Sequence, residues 1–209
     1  MKKILVMMLI ITLTLCSCSG GKTEGDALEK YLEIIDGLKS GIVTVTSDVS
    51  SNKATVKFEE TENGCVILSV TQSGNQSYTN YFDGAYLYSG SDELVMNESG
   101  VLDGIVAKRN LIAAPDYAID PDWYDAERSG IYKTLTGYKI VIITNEDDEF
   151  TNTADTTLTL YLDSNMVPTK AIIADQFFDE DGKTYTYKTT LKYQNIGDDP
   201  HIQTPAVKR

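Results

Sequence analysis

Residues able to do covalent or metal chemistry are scarce in this chain. His201 is its one histidine. With no second histidine and no cysteine cluster beside it, no transition-metal site is expected. Ser50-Ser51-Asn52-Lys53 contains a Ser-x-x-Lys match. It falls in a turn between two strand-like runs, without supporting motifs, and is read as chance. The sequence holds no Gly-x-Ser-x-Gly and no glycine-rich phosphate loop. Asp116, Asp120, Asp122, Asp125 and Glu127 supply oxygens of the kind calcium takes. The EF-hand spacing is absent there and at Asp179–Gly182, and charge runs are as a rule solvated. A carboxylate pair for glycoside hydrolysis has no fixed spacing to look for, and no wide aromatic groove is signalled. The expectation is no catalytic residue, no metal, no cofactor and no enzyme activity.

The cysteines say more. Lys2 and Lys3 precede an uncharged, mostly apolar run from Ile4 to Leu15. That run is too short to span a hydrocarbon core, which needs about 20 residues. A basic start, a short apolar run and a small residue before a cut describe a secretory signal. The motif Leu15-Cys16-Ser17-Cys18 resembles the lipobox of bacterial lipoproteins, with Leu15 at −3, Ser17 at −1 and Cys18 as the lipidated residue. Cys16 fits worse, because the bulky Leu15 precedes it. The resemblance implies a signal peptide over residues 1–17 and a diacylglycerol on Cys18. Two acyl chains hold a protein on a bilayer where one binds marginally. Residues 18–25 are then the anchor and a short Ser/Gly-rich tether, whose seven residues Ser19 to Gly25 reach about 25 Å at most. The expected location is extracytoplasmic, anchored to the cell membrane. Cys65 is left without a partner for an intrachain disulfide. Its run Cys65-Val66-Ile67-Leu68 suits a buried small hydrophobe better than a nucleophile.

The formal charge is −13, and loss of Lys2 and Lys3 with the leader makes it two units more negative. Such a chain repels nucleic acid and anionic headgroups. On this ground the membrane partner is expected to be reached through the lipid and not through a basic patch. The remaining length suits one good core.

Asp26–Ser40 reads as a helix, because Leu28, Tyr31, Leu32, Ile35 and Leu38 form one apolar stripe. Asp26 is placed to cap it, with Glu29 three residues on, and Gly41 to stop it. Strand-like runs follow at 42–49, 54–60, 65–72, 77–82, 85–89 and 93–96. Asn63-Gly64 and Asp83-Gly84 are hairpin signals. The pattern breaks at Gly100. Val101, Leu102, Ile105 and Val106 keep helical spacing toward Ile112, and Pro115 and Pro121 punctuate an acidic stretch around Trp123-Tyr124. Strand-like runs resume at 131–135, 138–145, 156–162, 169–177 and 184–194, and Pro200 and Pro205 mark a loose tail. Thirteen tyrosines favour strands.

In the last strand Tyr185, Tyr187, Thr189, Leu191 and Tyr193 share a face, opposite Thr184, Thr186, Lys188, Thr190 and Lys192. One apolar and one wet side suit an antiparallel sheet. About ten such strands curl. The fold class expected is α+β, mainly antiparallel β: a curved meander sheet with helices covering its concave face.

This order of elements, with Tyr81-Phe82-Asp83-Gly84-Ala85-Tyr86-Leu87-Tyr88, the helical interruption, Leu158-Thr159-Leu160-Tyr161-Leu162-Asp163 and Val167-Pro168, resembles the half-barrel of LolA/LolB-type lipoprotein carriers and related lipoproteins. The resemblance covers a single domain over residues 26–205, with 206–209 as a tail. It implies an apolar cavity between sheet and helices for a lipid or other apolar ligand. Tyr185, Tyr187, Tyr193 and Trp123 are the candidate ligand-binding residues. The alternative is an envelope protein without a small ligand, offering a sheet edge or acidic surface to a protein partner.

Overall fold

The computed structural model describes residues 21–62, 64–101, 108–110, 112–113, 116–145, 153–179 and 181–208. Among these residues thirteen strands form one sheet. They are β1 (Lys22–Thr23), β2 (Ser40–Ser47), β3 (Lys53–Thr61), β4 (Gly64–Ser73), β5 (Gln76–Phe82), β6 (Tyr86–Gly90), β7 (Leu94–Val101), β8 (Gly130–Lys133), β9 (Gly137–Thr144), β10 (Thr153–Asp163), β11 (Pro168–Phe178), β12 (Thr184–Gln194) and β13 (Val207–Lys208). An α-helix, α1 (Ala27–Asp36), lies between β1 and β2. The fold class is the one the strand pattern implies, a curved, mainly antiparallel sheet with helical segments on its concave face.

The strand order is β1-β8-β9-β10-β11-β12-β2-β3-β4-β5-β6-β7-β13. Two meanders, β2–β7 and β8–β12, are therefore joined side by side where β12 pairs with β2, Tyr193 opposite Val43. This long-range pair makes one sheet of two local ones.

Period-2 alternation places one set of side chains on the inner face. Val43, Val56, Phe58, Ile67 and Phe82 from the first meander meet Ile140, Ile142, Leu158, Leu160, Ile173 and Leu191 from the second in one buried cluster. α1 closes this cluster with Leu28, Tyr31 and Ile35. The Asp26 side chain accepts the Glu29 N–H at 2.8 Å, so the N-cap forms as its residue type predicts. The helix stops earlier than Gly41, at Gly37. Gly41 lies in β2 instead, pressed on the Phe58 ring.

Three further boundaries differ from expectation. The fourth turn's strand is not confined to 93–96; β7 continues through Gly100 to Val101. The expected helical positions 102–106 lie outside the described residues, while Lys108–Asn110 and Ile112 are helical. The tether does not run free to Gly25, because Lys22 and Thr23 pair with Tyr132 and Ile131 of β8. Nor is the C-terminus a loose tail beyond 205. Ile202 and Val207 pack on a second, outer cluster of Tyr81, Tyr88 and Leu94, and β13 pairs in parallel with Leu94 and Val95. Those aromatic groups need cover on the outer face, and the C-terminal segment supplies it.

Gly137 sits at the start of β9, opposite Asp163. A Cβ there would overlap the backbone of Leu162 and Asp163, and backbone cannot yield as a side-chain tip does. Gly137→Ala is expected to destabilise the domain by about 2–4 kcal/mol, read as a lower midpoint at unchanged slope in urea unfolding.

Candidate functional site

α1 decides where a ligand can go. Its apolar stripe is seated without a gap: Tyr31, Ile35, Val43, Phe58 and Ile140 are all fully buried. Among the described residues the space directly beneath this stripe is filled by core side chains. The open space lies along the helix flank.

Two adjoining depressions run between that flank and the ends of the strands. One, of about 490 Å³, is bounded by Thr23–Asp26, Glu29, Lys30, Ile131 and Tyr138. The other, of about 390 Å³, is bounded by Ile34, Leu38, Val167, Pro168 and Ile196. Glu33 and Met166 line both, so the two form one groove. Volumes of this order match small-molecule sites. The groove is acidic at the β1 end and apolar at the β11 end. Met166 takes φ 64° in the β10–β11 turn. That turn is closed by Asp163, whose carboxylate accepts the N–H groups of Asn165 and Val167 at 2.8 and 2.9 Å.

The irregular segment between the meanders staples α1 at both ends. Lys108 is buried and its Nζ donates to the Asp36 carbonyl and to Glu60 Oε1, each at 2.8 Å. A cation at a helix C-terminus also meets the negative end of the helix dipole. Arg109 Nε donates to Asp36 Oδ1 at 2.8 Å. At the other end the Tyr124 hydroxyl donates to Asp26 Oδ2 at 3.2 Å. Burial raises the Tyr124 pKa above its usual value, with the Asp26 charge adding to the effect.

The candidate ligand residues are not brought together. Tyr193 lies in the core beneath α1, 6 % exposed. Its hydroxyl has no hydrogen-bond partner among the described residues, and burial, with Tyr31 as a lesser cause, pushes its pKa well above the usual tyrosine value. Tyr185 and Tyr187 share its face as alternation requires. They sit farther along β12, however, where the cluster has ended, at 39 % and 41 % exposure. Tyr187 rests on Phe177 at 5.2 Å between ring centroids, and Lys183 stands 4.8 Å over the Tyr185 ring. Trp123 is in a turn whose carbonyl accepts the Asn145 N–H at 2.9 Å. Thr144, Thr156, Asp175 and Tyr187 pair in succession, so the residue beside Trp123 is three strands from Tyr187, about 14 Å. None of the four lines the groove. Sequence reading missed Ile34, Tyr138, Met166 and Ile196, which do. Ile34 stands off the main stripe of α1, which was the available signal.

Of the acidic candidates, Asp120 Oδ1 accepts the Asp122 N–H at 2.9 Å. Asp125 Oδ1 accepts the Arg128 N–H at 3.0 Å. These are turn-closing roles. Among the described residues no three His, Cys, Asp or Glu side chains converge on a metal position. Cys65 is buried. Burial pushes its thiol up to about 11, against an opposing pull from Lys108. Cys18 lies outside the described residues. No described helix is long and apolar enough to cross a membrane.

No family model matches the chain, and no curated protein matches it. Among solved structures, it is similar to MucB in complex with MucA(peri), at 17% identity and a TM-score of 0.41 over 86% of this chain and 58% of that one. It is also similar to a DUF1329 family protein from Desulfovibrio piger, at 8% identity and a TM-score of 0.28 over 85% of this chain and 93% of that one. The chain thus spans 58% of the length of the MucB chain it matches. Likenesses this distant carry nothing about function, and the fold class rests on the strand order itself.

Two outcomes follow from the buried groups. Removing a hydroxyl that has no partner relieves a desolvation cost, so Tyr193→Phe is expected to leave stability unchanged or raise it by about 1 kcal/mol; a clear loss in urea unfolding would mean that the hydroxyl is satisfied. The raised thiol pKa means that the folded state holds its proton where the unfolded state has lost it. Stability from this group is full at neutral pH and falls as pH rises from the ordinary thiol value toward about 11. Cys65→Ala is expected to flatten the alkaline limb of a stability–pH curve, and native Cys65 to react with thiol reagents only in denaturant.

Proposed function

We propose that this chain is a membrane-anchored, extracytoplasmic lipoprotein that binds a lipid or other apolar ligand without catalysis. The groove beside α1 carries the reading of the site. Its apolar half, Ile34, Leu38, Met166, Val167, Pro168 and Ile196, is shaped to take an extended acyl chain lying along the helix, with the polar end toward Glu24 and Lys30. In this reading the ligand is held in an open trough. The lipobox-like Leu15-Cys16-Ser17-Cys18 supports the anchor. A half-barrel with a binding role is also the family expectation drawn from the order of elements.

A second reading has its own observation. Tyr185, Tyr187 and Phe178 are exposed near one hairpin end, and aromatic groups of this kind anchor protein partners.

The test is extraction of the detergent-free domain, residues 21–209, followed by mass spectrometry of co-purifying lipid. A defined lipid near one per chain is expected, lost in Met166→Glu. A lipid-free domain whose Tyr185→Ala/Tyr187→Ala variant loses an envelope crosslink would favour the second reading instead. Cys18→Ser is expected to move the protein out of the acylated, detergent-phase fraction. Unchanged partition at high salt would remove the anchor.

A further inference from the structure

A charge of −13 argues against affinity for anionic surfaces only if the charge is evenly spread. The strand register shows that it is not. The outer face of β8–β12, opposite the core, is crossed by one line of directly paired residues: Lys22, Tyr132, Lys139, Tyr161, Lys170 and Lys192, on β1 and β8 to β12 in turn. At about 4.8 Å between strands the line is about 24 Å long. Lys139 Nζ stands 5.0 Å over the Tyr132 ring and Lys170 Nζ 5.8 Å over the Tyr161 ring, so lysines and rings form one surface. Tyr161 is among the exposed large side chains. Among the described residues none of the four lysines is in an ion pair. The acids facing the same way on the strands from β8 to β12 and on β2 and β3 are Asp155, Asp163 and Glu59, all toward strand ends, and the Asp163 carboxylate is engaged by the N–H groups of Asn165 and Val167. Asp155 is already held by Arg128 at 2.6 Å.

We propose that this lysine–tyrosine stripe seats the outer face of the sheet on an anionic bilayer surface. Three observations select that occupant. The stripe is basic on an otherwise acidic molecule, which is the complement of anionic headgroups. Tyrosine favours the membrane–water boundary, and lysine lays its stem along apolar surface while its ammonium reaches phosphate. Lys22 lies four residues from Cys18, so at most about 14 Å of chain separates the stripe from the proposed anchor. The sheet stands between the stripe and the acids of α1, while Glu24 and Glu127, whose carbonyl accepts from Lys22 Nζ at 3.5 Å, adjoin the stripe at its β1 end; charges more than about 8 Å apart are largely screened at physiological salt. A lysine at such a surface raises association roughly fivefold. With the outer face down, the groove beside α1 is turned away from the bilayer. The orientation rests on the anchored reading above; the charge of the stripe does not.

The experiment uses the full chain on vesicles, with a headgroup-quencher lipid and a fluorophore at Thr46→Cys on the outer face or Glu33→Cys on the helix flank. Flotation with phosphatidylcholine vesicles reads the anchor alone. On phosphatidylglycerol–phosphatidylethanolamine vesicles the Thr46 label is expected to be quenched several-fold more than the Glu33 label. High salt and Lys139→Gln/Lys170→Gln/Lys192→Gln should each abolish the difference. Equal quenching of the two labels, or a difference that survives the triple substitution, would overturn the proposal while leaving the anchor standing. Flotation on the anionic vesicles alone, lost in the triple variant, would uphold the stripe and overturn the anchor; flotation on neither overturns both. A label that responds to soluble polyglycerol phosphate and not to vesicles assigns the stripe to an anionic polymer and overturns the membrane reading.

Discussion

The seating of α1 on the sheet is the contact on which the remaining structure depends. A ten-residue helix is marginal in water by itself. It persists because Tyr31 and Ile35 are fully buried against side chains from both meanders. The dependence is mutual. Each meander has an apolar inner face that water would otherwise meet, and the helix adds Leu28, Tyr31 and Ile35 to the buried cluster that both share.

That seating has a functional consequence. Among the described residues the helix stripe meets filled core beneath it, and the groove runs along its flank. The groove there owes its width to the strand ends opposite, above all to the β10–β11 turn that holds Met166 and Pro168. The segment between the meanders, which looks like the place where function would concentrate, instead fastens the helix through Lys108, Arg109 and Tyr124. Those polar contacts join groups far apart in sequence, and they restrict how far α1 can lift.

The two faces of the sheet do different work from one alternating pattern. Inner positions build the core. Outer positions of the first meander bear Tyr81 and Tyr88 and are covered by the C-terminal segment. Outer positions of the second meander bear lysine and tyrosine. An average charge conceals this division, because Lys139, Lys170 and Lys192 are aligned on one strand face.

Local chemistry was legible in the sequence. The Asp26 cap, the buried stripe of α1, the hairpin at Asp83-Gly84, the inner faces of β10 and β12, and a buried Cys65 all follow from residue types and short spacings. Those depend on neighbours within a few positions. The end of β7, the strand at Lys22–Thr23 and the parallel strand β13 were not legible, since each is settled by a distant partner strand. The same holds for the candidate site. Alternation put Tyr185, Tyr187 and Tyr193 on one face, but only the position of α1 decided that Tyr193 is core and the other two are exposed. Ile34, Tyr138, Met166 and Ile196 meet in one groove although more than a hundred residues separate the first from the rest. Lys22, Lys139, Lys170 and Lys192 are scattered in the chain, and register alone aligns them. The sequence by itself determined which residues prefer strand, helix or turn and which side each faces. The tertiary structure decided which sides are covered, because coverage depends on long-range pairing that no local spacing records.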